Sequence, residues 1–402
     1  MVRVERADPS RLHAIRPEWN RLVASMARPS TFCSWEWIDA WWRHFGNAYE
    51  ALLLHFYRGQ TLIGILPLAS RWMIVEDGVL PTRTLLYCGS RELGPDHIDL
   101  ISDASDAPDC LEAAGAYLRR EFRGWDLLHL SHVTEGSHLL EWAGGSAIPF
   151  HADSRVVSAA PYIDLTLGLD AYRGSLRKRK QKQLERQAGR LFGAMSVEYW
   201  KCDPSESKSA VRDLFELHRL RAARLRRGTA FRGERLIRFH EDVAVRLQQQ
   251  GQLRLRFFRK GDQPIAAWYC FESHGRIFAY QTGLDPAWER HSVGNLLLLE
   301  VIRESSEAGL REVDLLRGGH YKSQWTSLSR ALSSINIYND TAVGRLARWG
   351  ARRRTELALA VKTTDQRTES GGPRERDPIV RMMYGAYLLT RSSVYPLVRR
   401  AY

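Results

Sequence analysis

Residues 277–316 constrain this chain more than any other stretch. The segment 277–284 (IFAYQTGL) is apolar and aromatic enough to be a buried strand. Asp285-Pro286 breaks it, and Trp288-Glu289-Arg290-His291 makes a short loop. Ser292-Val293-Gly294-Asn295 then opens a helix carrying Leu296, Leu297, Leu298, Leu299, Val301 and Ile302 ahead of a polar run. Gly309 stands where a helix C-cap belongs, and residues 311–316 (REVDLL) alternate as a strand does. Strand, crossover helix and strand make a β-α-β unit, right-handed by the general rule. Its helix opens on Ser, Gly and Asn, which leave backbone N–H groups free to meet a phosphate.

Immediately after that unit comes Asp314-Leu315-Leu316-Arg317-Gly318-Gly319-His320-Tyr321-Lys322-Ser323-Gln324-Trp325. This run resembles the D-x-x-x-G…Y-K-x-x-W ending of GNAT-like acyltransferases of the FemAB/BioF2-like type, which include the CelD-like proteins of cellulose biosynthesis. Upstream, Phe32, Ser34, Trp37, Trp41, Trp42 and Phe45 are similar to the same family's early F-x-S-x-x-W…W-W-x-x-F signature. The resemblance spans roughly residues 15–335. It implies an α/β fold of tandem GNAT-like acyltransferase domains, and an acyl group moved from acyl-CoA to an amine, in the setting of polysaccharide or cell-envelope biosynthesis. Tyr280 and Gln281 would then line the thioester, and Ser292, Val293, Gly294 and Asn295 would receive the pyrophosphate. His291-Ser292-Val293-Gly294 keeps one glycine of the family's Q/R-x-x-G-x-G/A loop. That departure leaves open a FemX-like transferase that uses aminoacyl-tRNA, and a non-catalytic accessory protein of polysaccharide synthesis is a further class.

For catalysis the candidates are Asp314, Tyr321 and Lys322, with Arg317, Trp325 and Arg177 toward the substrate. A lysine after two glycines and beside a tyrosine is well placed to meet an acyl oxyanion or a phosphate. The structural alternative has Asp314 ending a strand, Tyr321 in the core and Lys322 in solvent. His291 and His320 are possible bases, although a lone histidine is more often a surface residue. No G-x-S-x-G elbow is present, so serine-hydrolase chemistry has nothing to stand on.

An internal echo argues for duplication. Residues 56–64 (FYRGQTLIG) recur loosely as 257–266 (FFRKGDQPIA), and Asp126-Leu127-Leu128 recurs as Asp314-Leu315-Leu316. The expected division is 1–160, 161–340 with the site, and a basic extension 341–402. Residues 161–166 (PYIDLT) would bridge the halves. Helices are expected over 10–24, 34–46, 111–122, 207–226 and 233–250. Short strands are expected at 84–87, 98–101 and 125–130, with a loop at 89–97 that could line a cleft. Trp37, Trp41 and Phe45 fall on one helix face, which reads as core rather than a ligand stripe.

Charge narrows the partners. The 402 residues carry 59 Lys+Arg against 46 Asp+Glu, a net +13. Such an excess favours an anionic partner. The basic run 175–186 could funnel one toward the site or be a solvated helix face. No aromatic residues interleave with its charges, which argues against nucleic acid unless the donor is a tRNA. Five scattered cysteines without a C-x-x-C pair argue against a disulfide framework or zinc, so no metal is expected. No apolar run is long enough to span a bilayer and the first residues lack a signal-peptide core, which makes the cytoplasm the expected location. The tail is expected to mix a basic segment 345–354, a mobile polar stretch 363–377, and residues 379–402 that pack on the core or rest on a membrane surface.

Overall fold

The computed structural model describes residues 2–75, 78, 80–146, 148–225 and 233–369. The first half of the chain runs through β1 (Arg3–Ala7), α1 (Arg16–Ser25), α2 (Trp35–Phe45), β2 (Glu50–Arg58), β3 (Thr61–Met73), β4 (Thr82–Tyr87), the short β5 (Ile101–Ser102), α3 (Ala107–Arg120), β6 (Leu127–Thr134), α4 (His138–Gly144) and β7 (His151–Asp164). Then follow α5 (Gly168–Ser175), α6 (Lys178–Ala188), β8 (Glu198–Lys201), α7 (Ser207–Arg224), α8 (Glu234–Gln249), β9 (Leu253–Lys260), β10 (Gln263–Ser273), β11 (Arg276–Leu284), α9 (Val293–Glu307), β12 (Glu312–Asp314), β13 (Ser329–Tyr338) and α10 (Ala342–Glu369).

The two halves repeat one element order. A strand and two helices lead into an antiparallel meander, and a crossover helix then returns the chain to a parallel strand. The meander is β2-β3-β4 in one copy and β9-β10-β11 in the other. The parallel pairs are β4 with β6, at Thr84↔Leu127, and β11 with β12, at Arg276↔Glu312. The halves exchange their last strands. β7 leaves the first half and pairs with β12, while β13 leaves the second and pairs with β6. Because β7 and β13 also pair with each other, one sheet runs β1-β2-β3-β4-β6-β13-β7-β12-β11-β10-β9-β8. The bridge expected at 161–166 is the end of β7. The boundary expected at 160/161 falls within that strand.

By compactness the chain divides into Met1–Trp72 with Arg83–Asn339, and Met73–Thr82 with Asp340–Tyr402. In the second unit, Arg354 Nη2 donates to Gly78 O at 3.1 Å. The helix α10 runs to Glu369, through the first part of the stretch expected to be mobile. Residues 379–402, with their expected packing or membrane contact, lie outside the described residues. No described helix is long and apolar enough to cross a membrane.

Helix α2 explains why the halves stay together. Ser34 caps it by accepting from the Trp37 N–H, and its aromatic face is buried as the spacing suggests. Trp37 stacks edge-on against Phe239 of α8 at 5.2 Å, and Asp39 pairs with Arg246 of α8 at 2.8 Å. Residues 98–100, expected as strand, are irregular. Asp99 there is turned to cap α4, accepting from Ser137 Oγ and the Leu139 N–H.

A buried charge cluster fixes α9 to the sheet. Glu304 of α9 takes a two-pronged contact from Arg256 of β9, at 2.5 and 2.7 Å, and the Tyr199 hydroxyl at 2.6 Å. Burial pushes the Glu304 carboxyl up, but Arg256 and Tyr199 outweigh it and hold it at about 2. In the unfolded chain it titrates near 4.5, so the contribution is fully present above 4.5 and is lost as pH falls toward 2. A shift of that size corresponds to on the order of 3 kcal/mol. Glu304→Gln should therefore lower stability at pH 7 by a comparable amount and flatten its loss below pH 4.5, read by urea denaturation across pH.

Candidate active site

Parallel pairing of β11 with β12 covers three rungs and ends at Phe278↔Asp314. Beyond that rung the strands part, because each is diverted. In β11 the register against β10 jumps between Gln281 and Ala279, leaving Tyr280 as a bulged residue. β12 stops because Leu316 turns to φ 56 and its N–H folds back onto Asp314 Oδ1 at 2.7 Å. That makes β12 shorter than the strand expected over 311–316.

Helix α9 starts at the same sheet edge, since a β-α-β crossover brings the strand end and the helix start together. Its N-cap Ser292 sits at φ 55 and makes no side-chain cap. The Ser292 carbonyl takes the Asn295 and Leu296 N–H groups, while Ser292 Oγ accepts from Gln187 Nε2 at 2.9 Å. Among the described residues no acceptor reaches the Val293 or Gly294 N–H, so this helix start offers two open donors. The Gly294 carbonyl is held by Trp268 Nε1 at 3.0 Å, and a Cβ on Gly294 would meet only Leu284, at 3.6 Å.

The expected catalytic residues do gather at the β12 end, in unequal roles. Asp314 is 1% exposed. Its Oδ2 lies 3.0 Å from His97 Nε2, off the ring N–H direction, and 3.3 Å from Arg330 Nη1. Burial alone would raise its pKa, but His97, the Leu316 N–H and Arg330 together hold it below the usual carboxylate value. Arg330 is itself gripped by Glu312 and stacks 3.6 Å over Tyr162. On the other side of the imidazole, His97 Nδ1 lies 2.5 Å from Thr134 Oγ1. The order Thr134, His97, Asp314 is thus a hydroxyl, an imidazole and a carboxylate in line.

Lys322 is not in solvent. Its ammonium donates to the carbonyls of Leu315, Leu316 and Arg317, at 2.5, 3.2 and 2.7 Å. Those contacts use all three of its donors, and burial draws its pKa down to about 8. Lys322 therefore holds the diverted end of β12. Lys322→Met should cost roughly 2–4 kcal/mol by leaving three carbonyls short of a donor, visible as a lowered thermal midpoint. An unchanged midpoint would free Lys322 for chemistry.

The other expected residues spread around this centre. Arg317 is bound to Asp96 and donates to Gly94 O at 2.6 Å, so the loop expected to line a cleft does reach the site. Tyr280 packs among Phe32, Trp37 and Phe271, and its hydroxyl donates to Leu93 O. Gln281 keeps its amide oxygen on the Thr282 N–H. Tyr321 is 37% exposed, with its ring against Gly319. Trp325 is buried under the Lys180 ammonium, 3.6 Å from its ring centre. Arg177 is exposed and caps α6, a helix that touches both Trp325, through Lys180, and Ser292, through Gln187. His291 is half-buried beside Arg290. Among the described residues no three His, Cys, Asp or Glu side chains group as a metal site.

His97, Thr134 and Arg330 were not singled out in the sequence. His97 and His132 both sit at positive φ, and the His97 N–H bonds His132 O at 3.2 Å. With Ser292 and Leu316, four of the six described non-glycine residues in this region of φ surround the site. Such strain persists where the surroundings over-determine it, as at functional centres.

Residues 177–323 match the family model of the acetyltransferase (GNAT) domain. No curated protein matches the chain in sequence. Among solved structures it is similar to FemX, with TM-score 0.57 and 10% identity over 84% of this chain and 98% of that one. It is similar also to the C-terminal domain of a putative lysylphosphatidylglycerol synthetase from Agrobacterium fabrum, with TM-score 0.53 and 11% identity over 85% and 96% of the two chains. At such identities these structures speak for fold, and the matched domain contains the whole β11-α9-β12 unit. Residues 177–323 therefore belong to the GNAT acetyltransferase domain family, and the chain shares its overall fold with FemX.

Proposed function

We propose that this protein transfers an acyl group from acyl-CoA directly to an amine acceptor. The observation that carries this reading is the parted β11/β12 edge with the Tyr280 bulge on one side and the open α9 start on the other. The Val293 and Gly294 N–H groups would hold the pyrophosphate, aided by the positive end of the helix dipole. Tyr280 and Gln281 would line the thioester, which supplies the activated acyl group. His97 takes the proton that the attacking amine must lose, relayed through the Thr134 hydroxyl at its Nδ1. Asp314 steadies the imidazolium that results. Lys322 and Arg317 keep the β12 end and its loop in place around them.

A FemX-like use of aminoacyl-tRNA is the second reading, favoured by the basic face of α6 running from Trp325 to Ser292. Titration calorimetry with acetyl-CoA separates the two. Micromolar binding that is lost on blocking the α9 start supports the CoA reading. No binding of acetyl-CoA, together with salt-sensitive binding of tRNA that fails when Arg177, Lys178, Arg179 and Lys180 become Gln, would replace it with the second.

A further inference from the structure

Arg28, Pro29, His97, Ile98, Asp99, Thr134, Ser137, Arg276 and Phe278 line a small pocket. It lies on the β11 face opposite α9, where Phe278 meets the His97 ring at 5.8 Å. Arg28 and Arg276 are half-buried there, yet neither guanidinium makes a hydrogen bond or ion pair among the described residues. Burial is expensive for such cations unless something pairs them.

The nearby carboxylates do not serve. Glu312 and Asp314 feel both charges but are taken by Arg330, and Asp314 also faces His97. Asp99 spends its oxygens on Ser137 Oγ and on the N–H groups of Leu100, His138 and Leu139. Glu135 accepts the Ala331 N–H at 3.1 Å. Burial is the first cause that lowers both guanidinium pKa values, and the Arg330 charge adds to it in each. The pocket thus presents surplus donors to an anion.

We propose that Arg28 and Arg276 form an anion-binding subsite for the acceptor, so that the amine acylated here carries a carboxylate or a phosphate. This rests on the acyl-transfer reading above. The two guanidiniums anchor the acid group beside the Thr134 hydroxyl and the His97 imidazole, leaving the amine to reach toward the β11/β12 edge.

Acetate and inorganic phosphate are the probes, each titrated by calorimetry into wild type, Arg28→Gln, Arg276→Gln and Arg28→Lys, with acetyl-CoA in a parallel series. Either probe should bind the wild type in the millimolar range, and each Gln variant should weaken it tenfold or more. Arg28→Lys should retain a measurable part, and acetyl-CoA affinity should stay within twofold throughout. The probe that binds more tightly identifies the acceptor's acid group. Thermal melting of the Gln variants should be unchanged or raised, since an unpaired buried charge has been removed. Probe binding that is absent, or that survives both Gln variants, overturns the subsite. Absent acetyl-CoA binding with the arginine effects intact would fell the donor reading and leave the anion subsite standing.

Discussion

Asp314→Asn should reduce turnover by about 10²- to 10⁴-fold while leaving acetyl-CoA affinity nearly unchanged, the range expected when a general base loses its effectiveness. The substitution keeps size and shape, and an amide oxygen can still accept the Leu316 N–H. What goes is the negative charge 3.0 Å from His97 Nε2 and 3.3 Å from Arg330. An imidazolium formed during proton transfer would then have Arg330 near it without the carboxylate between. Arg330 retains its two contacts to Glu312, so the fold survives. The stability cost should be about 1–3 kcal/mol, the usual penalty for disturbing a buried charged hydrogen bond. His97→Gln should show a similar loss in kcat, and the double variant should lose little more, because the two act as a unit. A kcat within twofold of wild type in Asp314→Asn, with the protein folded, would remove this dyad from the reaction.

The β-α-β unit, its Ser292 start and its Gly309 stop were legible because local chemistry sets them. Gly309 sits at φ 71, where a C-cap glycine belongs, and the helix is apolar on the face that meets the sheet. The duplication was legible from residues 56–64 echoed at 257–266 and Asp126-Leu127-Leu128 echoed at Asp314-Leu315-Leu316, since a repeated hairpin and strand leave repeated local chemistry. The strand exchange was not. Nothing local distinguishes a β7 that pairs with β12 from one that stays beside β6, because the choice is made by partners far along the chain, such as Asp314 opposite Tyr162 and Tyr338 opposite His151.

The same distance hid half of the site. Asp314 stood out from its motif, but His97 lies in a loop of the first half and meets it only through the fold. One signal was available: residues 89–97 (GSRELGPDH) are a polar, Gly- and Pro-broken loop between two apolar stretches, the kind of segment that carries function. Lys322 shows the opposite case. Its neighbours Gly318, Gly319 and Tyr321 drew it toward chemistry, yet the glycines adopt φ 90 and φ 63 to bend the chain so that the ammonium reaches the end of β12. A lysine that terminates a strand and one that meets an oxyanion look alike in sequence, since both need the same tight turn.

Gly294→Glu should weaken acetyl-CoA binding by about 10²-fold or more without unfolding the protein, and the physical reasons for the two halves of that result differ. The backbone has room, since a Cβ would meet only Leu284 at 3.6 Å, an ordinary contact, and no positive φ is required of this glycine. A carboxylate in the first turn of α9 also favours the helix dipole, typically by 0.3–1 kcal/mol. The thermal midpoint should therefore hold or rise. The same carboxylate stands where the open Val293 and Gly294 N–H groups would receive a pyrophosphate, so it competes for the donors and repels the ligand. Gly294→Ala supplies the matched control, with the side chain begun and the charge omitted, and should bind within about threefold of wild type. Calorimetry with acetyl-CoA, repeated with dephospho-CoA and pantetheine, locates the effect. The variant should lose its advantage for the pyrophosphate-bearing ligands and treat pantetheine as the wild type does. If Gly294→Glu binds acetyl-CoA as tightly as Gly294→Ala, the start of α9 does not hold the phosphates, and the donor must be sought elsewhere on the fold.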